Sequence, residues 1–484
     1  SATMELFDAL YDAEDIRFIG VRDERSGTHM ADGYARVTGR AGVFLAGQNG
    51  PGATNLVTGI AQARAAYSPV IAIAGALASG HRDRDAFQEI DQQQLFAGIT
   101  RRTWTAQQAG RVPELVNEAF RYALSPRQGP VLLNLPRDVL AAEAEFGAIR
   151  GAGVANNGHA IRAAAAQIDA AVARLAQAER PLILAGGGVK NSRAGDAVLA
   201  LAEALGAPVA TSPGHGDGIP YGHPLNAGQV GPRGNPVASR LAREADVILA
   251  LGTRLGFNTT FYSYDNLNPD AAILQVELEP TALGRYFPIA VGLWGDVTAV
   301  ADDLRAALSG QTMPTARPQW LADFQQERQR YLEALDEAAS PAGEPLQPDV
   351  LFQALRRVAP EDVIYTMDAG TLCLQATDKL RYRRSPGLLT PLDFGLVGFS
   401  YACGLGAKLG CPDRPVISLM GDGGFAMTLA EIATAVEQDI RTVTVVMNNG
   451  CWGAEKAYQR DFFGQRYIGA DLHNPPYDRI AELF

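Results

Sequence analysis

The sequence predicts an α/β protein built as three consecutive doubly wound parallel-sheet domains. Three observations predict it. Short apolar strands alternate with helical stretches, several of those strands end in glycine-rich loops, and two polar or small-residue stretches divide the alternation into three blocks. The first block covers residues 1–145. Ile16–Val21, Ala41–Leu45, Val70–Ala74 and Val131–Leu135 read as strands, and Val112–Ala123 carries helical spacing. Alternation of this kind needs crossover connections, which build parallel sheets. Residues 146–158 are rich in Gly, Ala and Asn, as suits a linker. The second block covers residues 159–310, with strands at Pro181–Ala185, Val247–Leu251 and Ile273–Val276, and Gly186-Gly187-Gly188 after the first of them. A polar, proline-containing stretch follows and holds a charged helix around Phe324–Ala338. The third block, residues 346–484, is α/β again. Both ends fall inside helical patterns, so the natural chain is expected to extend past them, and a targeting peptide ahead of Ser1 is compatible with the sequence.

The chain has 484 residues, room for two to four domains, and its 47% hydrophobic and 20% charged residues suit globular cores. A net charge of −11 excludes a broad nucleic-acid-binding face, though not a local cationic pocket. No run of about 18 apolar residues appears, so nothing reads as membrane-spanning. Cys373, Cys403, Cys411 and Cys451 form no CxxC pair, which fits unpaired thiols in the reducing cytoplasm. There is no HExxH, and Gly187 to Ser192 is not a P-loop.

The strongest local pattern is Gly421-Asp422-Gly423-Gly424 followed by Asn448-Asn449. Pro415–Met420 reads as a strand ending at the glycines, and Thr442–Met447 as a strand ending at the asparagines. Thr428 and Glu431 have capping-box spacing, which predicts a helix starting at Leu429 between them. One βαβ unit would then bring Asp422 and Asn449 to the carboxyl ends of neighbouring parallel strands, where open α/β sheets bind ligands. A carboxylate and an amide oxygen facing one crevice suit Mg²⁺ shared with phosphate oxygens. Glycines there leave backbone N–H groups accessible to a diphosphate.

This GDG-to-NN pattern resembles the thiamin-diphosphate motif of the acetolactate synthase and pyruvate decarboxylase superfamily. The resemblance implies Mg²⁺ held by Asp422, Asn449 and the backbone carbonyl of Cys451, with Gly421, Gly423 and Gly424 at the diphosphate. It also implies a second diphosphate loop at Asp368-Ala369-Gly370-Thr371. Arg22-Asp23-Glu24-Arg25 and the residues through Arg36 are similar to the family's glutamate motif, with Glu24 as the carboxyl that activates the cofactor's pyrimidine. Gln48-Asn49-Gly50-Pro51-Gly52, continuing to Asn55, is similar to the loop beside the pyrimidine. Gly395-Leu396-Val397-Gly398 resembles the segment that bends the cofactor, with the Gly395 carbonyl accepting from its amino group and Val397 beneath it. The three domains are then pyrimidine-binding, central and diphosphate-binding. The resemblance implies a homodimer as the minimum and a homotetramer as the expected assembly.

Three segments look like the sulfoacetaldehyde acetyltransferase subgroup: Trp452-Gly453-Ala454-Glu455-Lys456, Gly47-Gln48-Asn49-Gly50-Pro51-Gly52, and Phe87-Gln88-Glu89 with Gln92. The expected reaction is transfer of a two-carbon acetyl unit from an aldehyde sulfonate to phosphate, with loss of sulfite. Gln48, Asn49, Gln88 and His29 join Glu24 as candidate catalytic residues, and Trp452 joins the cofactor-binding set. Arg25, Arg84, Arg101, Arg102 and Lys456 are candidates for anion contact, each more simply read as a solvated charge. Asp23 stands where the family often has His, which leaves open a different 2-oxo acid or aldehyde substrate. The alternatives are an acetolactate-synthase-like carboligase, a 2-oxo acid decarboxylase and, remotely, a non-catalytic nucleotide-binding paralogue, against which the intact Glu24 weighs. The second block carries Gly186-Gly187-Gly188, Gly252-Thr253-Arg254 and Gly295-Asp296; the resemblance implies a domain that holds FAD or ADP in some relatives and is empty in others, so FAD is possible here but not favoured.

Overall fold

The computed structural model describes residues 2–147, 160–337 and 345–484. Its three sheets arise from apolar runs that alternate between two buried faces. The first sheet holds β1 (Gly42–Leu45), β2 (Val70–Ala76), β3 (Thr103–Thr105) and β4 (Val131–Pro136) in the order β1-β2-β4-β3, all parallel. On one face Val70, Ala72, Ala74 and Leu132 pack on Leu56, Ile60 and Phe96, and on the other Ile71 and Val131 pack on Ala119 and Ala123. Helices therefore cover both faces, which is why these strands read as continuous apolar runs.

The second sheet holds β5 (Pro181–Ala185), β6 (Val209–Thr211), β7 (Asn226–Gln229), β8 (Val247–Leu251), β9 (Ala272–Glu277) and β10 (Val291–Trp294), ordered β10-β9-β8-β5-β6-β7. Ile183, Leu249 and Leu274 face the helices Ala165–Gln177, Gly195–Leu205 and Val297–Leu308. Leu182, Leu184 and Ile248 face Val237, Leu241, Trp320 and Phe324 on the opposite side. The third sheet holds β11 (Ile364–Met367), β12 (Leu388–Leu389), β13 (Val416–Gly421) and β14 (Val443–Met447), ordered β12-β11-β13-β14.

The chain divides into two compact units. One comprises Ser1–Gly158, Tyr365–Gly370 and Leu389–Phe484, and the other His159–Ile364 and Thr371–Leu388. Within the first unit, helix Glu24–Thr38 crosses helix Ser400–Gly410 at backbone contact. A Cβ on Gly33 would lie 2.1 Å from the Cys403 carbonyl oxygen, and one on Gly406 only 1.9 Å from that of Met30. Glycine is required at both positions, and the crossing fastens the Glu24 helix to the block that carries Asp422.

Two expectations are corrected. Ile16–Val21 is not a strand: the first sheet is complete without it, and Ile16 and Phe18 are exposed. An apolar run becomes a strand only when a neighbour accepts its backbone bonds. The capping box does not form either. The helix there runs Glu431–Glu437 with no side-chain cap, the Thr428 hydroxyl is buried without a partner among the described residues, and the Glu431 carboxylate bonds the Arg22 and Asp23 amides instead. The charged helix begins earlier than expected, at Arg317, and runs to Glu337, anchored by Trp320 and Phe324. Linker residues 148–158 and Ala338 lie outside the described residues. Among the described residues no helix is long and apolar enough to cross a membrane.

Candidate active site

The crevice begins where two parallel strands end together. β13 and β14 are neighbours in a register that sets Gly421 opposite Met447, so Asp422 and the Asn448-Asn449 pair leave the same sheet edge. Asp422 opens the short helix Asp422–Ala426 and is 1% exposed. Its Oδ2 accepts from Asn474 Nδ2 at 2.5 Å, and its backbone carbonyl accepts from the Tyr477 hydroxyl at 3.0 Å. Asn474 also donates to Asn448 Oδ1 at 3.3 Å, whereas Asn449 Oδ1 accepts from the Cys451 amide at 3.2 Å. The loop at Cys451 is braced by a short antiparallel exchange with the 470–472 segment: Trp452 N donates to Ala470 O at 2.7 Å, and Leu472 N to Gly450 O at 2.7 Å. Burial pushes the Cys451 thiol up, opposed by Lys456 and reinforced by Asp422 and Asp471.

The glycines have separate reasons. A Cβ on Gly423 would lie 2.6 Å from the Trp452 ring, so glycine lets the indole lie on the backbone. A Cβ on Gly424 would lie 1.9 Å from Asp368 Oδ2. Asp368 is buried, and its carboxylate accepts from the amides of Gly398 at 2.9 Å, Phe399 at 2.7 Å and Ser400 at 3.3 Å. Burial pushes its pKa up to about 6 despite those donors. Asp368 thus pins the segment containing Gly395 and Val397 to the start of helix Ser400–Gly410. Gly395 (φ +79°) and Gly370 (φ +105°) both occupy left-handed backbone, and no heavy atom lies within 4 Å of a Cβ built on either. Thr371 opens the helix Thr371–Ala376.

In the first block, Glu24 is the first residue of its helix, and the Asp23 carboxylate caps it by accepting from Arg25 N at 2.8 Å. Glu24 Oε2 accepts from Asn55 Nδ2 at 3.0 Å, and Oε1 would be 3.1 Å from a Cβ on Gly52. The glutamate therefore rests on the Gly47–Gly52 loop. Within that loop Gln48 Oε1 accepts from Ala2 N at 2.9 Å, and Asn49 donates to the Gln88 carbonyl at 3.3 Å. Gly50 adopts φ +54°, where a Cβ would meet the Gln88 carbonyl at 2.6 Å, while Pro51 opens the next helix. Gln92, buried, accepts from Gly50 N and donates to Gly75 O and Asn134 Oδ1. Gln88 and Gln92, with Arg82, Glu89, Thr105 and Asn134, line a cavity of about 370 Å³.

The structure thus brings Glu24, Asn55, Asn49, Gly50 and Gln88 together, and separately Asp422, Asn448 and the Cys451 loop. His29 lies in the helix crossing, 0% exposed, with its ring edge-to-face on Phe399 at 5.4 Å and its pKa lowered to about 3 by burial and then by Arg25 and Arg36. Of the candidate cations, Arg101 is spent on Tyr122 and Ser125, Arg102 stacks near Trp104 and Tyr122, and Lys456 pairs with Asp471 at 2.5 Å. Arg84 donates weakly to Gly80 O at 3.4 Å, and Arg25 reaches the Met427 carbonyl at 2.8 Å. Sequence reasoning singled out Gln92 only by its motif and missed Asn474, Tyr477 and the bonds of Asp368 to the Gly398, Phe399 and Ser400 amides. Asn474 and Tyr477 carry no local signal, since they meet Asp422 from about fifty positions away.

The donor set suits a cation and a diphosphate. Asp422 is a buried carboxylate that no Lys or Arg pairs among the described residues; Asn474 gives it a neutral amide, and a buried carboxylate with no cation beside it is costly. No cluster of three or more His, Cys, Asp or Glu gathers there among the described residues, so an ion would take one carboxylate with amide and backbone oxygens, the hard-oxygen set that Mg²⁺ uses.

Comparison with known proteins identifies the domains. Residues 1–95 match the thiamine pyrophosphate enzyme N-terminal TPP binding domain, residues 168–304 its central domain, and residues 368–484 its C-terminal TPP binding domain. The chain is 37% identical to a sulfoacetaldehyde acetyltransferase of Alcaligenes xylosoxydans xylosoxydans, over 100% of this chain and 83% of that protein. It is 34% identical to a sulfoacetaldehyde acetyltransferase of Castellaniella defragrans, over 99% of this chain and 82% of the relative. A probable acetolactate synthase large subunit of Methanocaldococcus jannaschii is 33% identical over 100% of this chain and 82% of its own length. With all three domain types present in order on three parallel α/β sheets, the chain belongs to the thiamine pyrophosphate enzyme family.

Proposed function

We propose that this enzyme is a thiamin-diphosphate- and Mg²⁺-dependent acetyltransferase of the sulfoacetaldehyde type, which cleaves a carbon–sulfur bond and passes the acetyl unit to phosphate. The observation that carries the cofactor half is the shared sheet edge, with Gly421 opposite Met447 and the buried Asp422 unpaired by any cation among the described residues. The substrate half is supported by full-length similarity to relatives of that name. When bound, thiamin diphosphate supplies a carbanion-like carbon that attacks a carbonyl. Asp422, Asn449 and the Cys451 carbonyl would hold the ion. Glu24 would hold a proton at the aminopyrimidine ring nitrogen, oriented by Asn55. Gln48, Asn49 and Gln88 would line the substrate side of the same loop, and Val397 would support the cofactor from below. Trp452 would close the diphosphate end over Gly423.

A second reading, an acetolactate-synthase-like carboligase, is supported by slightly lower identity, 33% and 32%, to acetolactate synthases over at least 99% of this chain. We take the assembly to be a homotetramer built on a homodimer, working in the cytoplasm on a small aldehyde or oxo acid. FAD is not part of this reading. A Cβ on Gly188 would lie 2.7 Å from Gly252 Cα, and the His215 ring sits over Gly187, so packing within the second unit already accounts for the glycine cluster.

The test is a product assay with added thiamin diphosphate and Mg²⁺. Sulfoacetaldehyde with phosphate should yield sulfite and acetyl phosphate in equal amounts. Acetolactate from pyruvate, with no sulfite from sulfoacetaldehyde, would replace this reading by the second.

A further inference from the structure

We propose that Glu431 is the positioning residue that fixes Glu24, by clamping the two backbone amides that precede it. This inference rests on the reading of Glu24 given above. The Glu24 helix starts abruptly after an unpaired stretch, so its leading N–H groups need acceptors from elsewhere. The Asp23 carboxylate reaches Arg25 N alone. The amides of Arg22 and Asp23 instead donate to Glu431 Oε1 at 3.2 and 3.1 Å, and Arg22 N also approaches Oε2 at 3.2 Å. Glu431 is 1% exposed, and the Thr434 hydroxyl donates to Oε2 at 2.6 Å, which fixes the carboxylate plane.

The clamp ties two parts of the chain that lie about 400 positions apart in the sequence. Glu431 stands nine residues after Asp422, at the start of helix Glu431–Glu437. Around it, Arg25 donates to Met427 O at 2.8 Å and Arg17 to Gln438 O at 2.8 Å, and Arg22 meets Glu437 at 2.6 Å. The Arg22–Glu437 pair is solvent-exposed and contributes little, whereas charge-assisted bonds to a buried carboxylate are the strong ones. Negative charge also complements the N-terminus of a fifteen-residue helix. Glu24 is thereby held from both sides: its backbone through Arg22 and Asp23 by Glu431, and its carboxylate by Asn55. Glu431 touches neither substrate nor cofactor in this role.

The experiment compares Glu431→Leu, Glu431→Gln and Thr434→Val with the wild type. Glu431→Leu is expected to lower kcat by about 10- to 100-fold, the cost of a small displacement of a catalytic group. Cofactor affinity, read as quenching of Trp452 fluorescence by thiamin diphosphate with Mg²⁺ and assigned with Trp452→Phe, is expected to stay within about threefold. Glu431→Gln keeps Oε1, which serves both amides, and should restore turnover to within about fivefold of wild type. Amide hydrogen exchange in a peptide covering residues 17–30 of the cofactor-free protein should quicken in Glu431→Leu. Should that variant not fold, Thr434→Val, which removes one of the two donors to Oε2 and leaves Oε1 on both amides, should give a smaller loss in the same direction. Normal turnover in Glu431→Leu, a Gln variant as impaired as Leu, or unchanged exchange would each overturn the proposal. If Glu24→Gln keeps full activity, the reading of Glu24 fails instead. The exchange measurement tests the clamp whichever substrate the enzyme takes.

Discussion

Asn474 holds Asp422. Its side-chain amide lies 2.5 Å from Asp422 Oδ2 and 3.3 Å from Asn448 Oδ1, while the Tyr477 hydroxyl lies 3.0 Å from Asn474 Oδ1 and from the Asp422 carbonyl. A segment fifty residues downstream therefore sets the orientation of the acid assigned to the metal. Asp422→Ala should weaken Mg²⁺ and thiamin diphosphate together, and Asn474→Ala should weaken both by about tenfold, the lower range for loss of a residue that orients a ligand. Fluorescence titration of Mg²⁺ at fixed cofactor checks this. Unchanged affinities in Asp422→Ala would remove the metal assignment.

Glu24→Gln should lose most turnover while still binding cofactor, because the side chain keeps its size and its contact with Asn55. A carboxyl that manages a proton cannot be replaced by an amide, and such roles are worth about 100-fold or more. The measurement is kcat beside cofactor affinity, and full activity would refute the role.

Gly424→Ala should destabilise the fold by about 1–3 kcal/mol, the range for overpacking a filled site. The new methyl would meet Asp368 Oδ2, and that oxygen cannot retreat without releasing the Gly398 amide. Thermal unfolding of Gly424→Ala, Asp368→Ala and the double variant checks it. The double variant should be less destabilised than the sum of the two.

Burial of His29 should make the fold acid-sensitive. Burial holds its pKa at about 3 in the folded protein, against 6.5 for the free side chain, and neither ring nitrogen has a hydrogen-bond partner among the described residues. As pH falls below 6.5, the unfolded chain takes up a proton that the folded chain refuses until about pH 3. Stability from this residue is therefore complete above the upper value and declines through that window, by roughly 4 kcal/mol at about pH 3.5. His29→Phe should flatten the pH dependence of unfolding between pH 6.5 and 3.5 by a comparable amount, whatever its effect at neutral pH. An unaltered pH profile would show that the ring is solvated or charged in the fold.

What could be read locally was what depends on local composition. Pro181–Ala185 and Val247–Leu251 are strands with the boundaries their sequence suggests, because a parallel strand buried on both faces must be apolar throughout. The short or polar strands Thr103–Thr105 and Asn226–Gln229 escaped notice, since their pairing comes from neighbours rather than from their own residues.

The amino-acid sequence by itself determined the three α/β blocks, the glycine loops and the family, since these are written in runs of consecutive residues. Tertiary structure alone decided that Ile16–Val21 stays unpaired, that Glu431 abandons its capping box for the amides of Arg22 and Asp23, and that Asn474 reaches Asp422. The reason is physical. A carboxylate or an amide accepts or donates to whichever partner burial leaves unsatisfied, and the identity of that partner emerges only when distant segments meet.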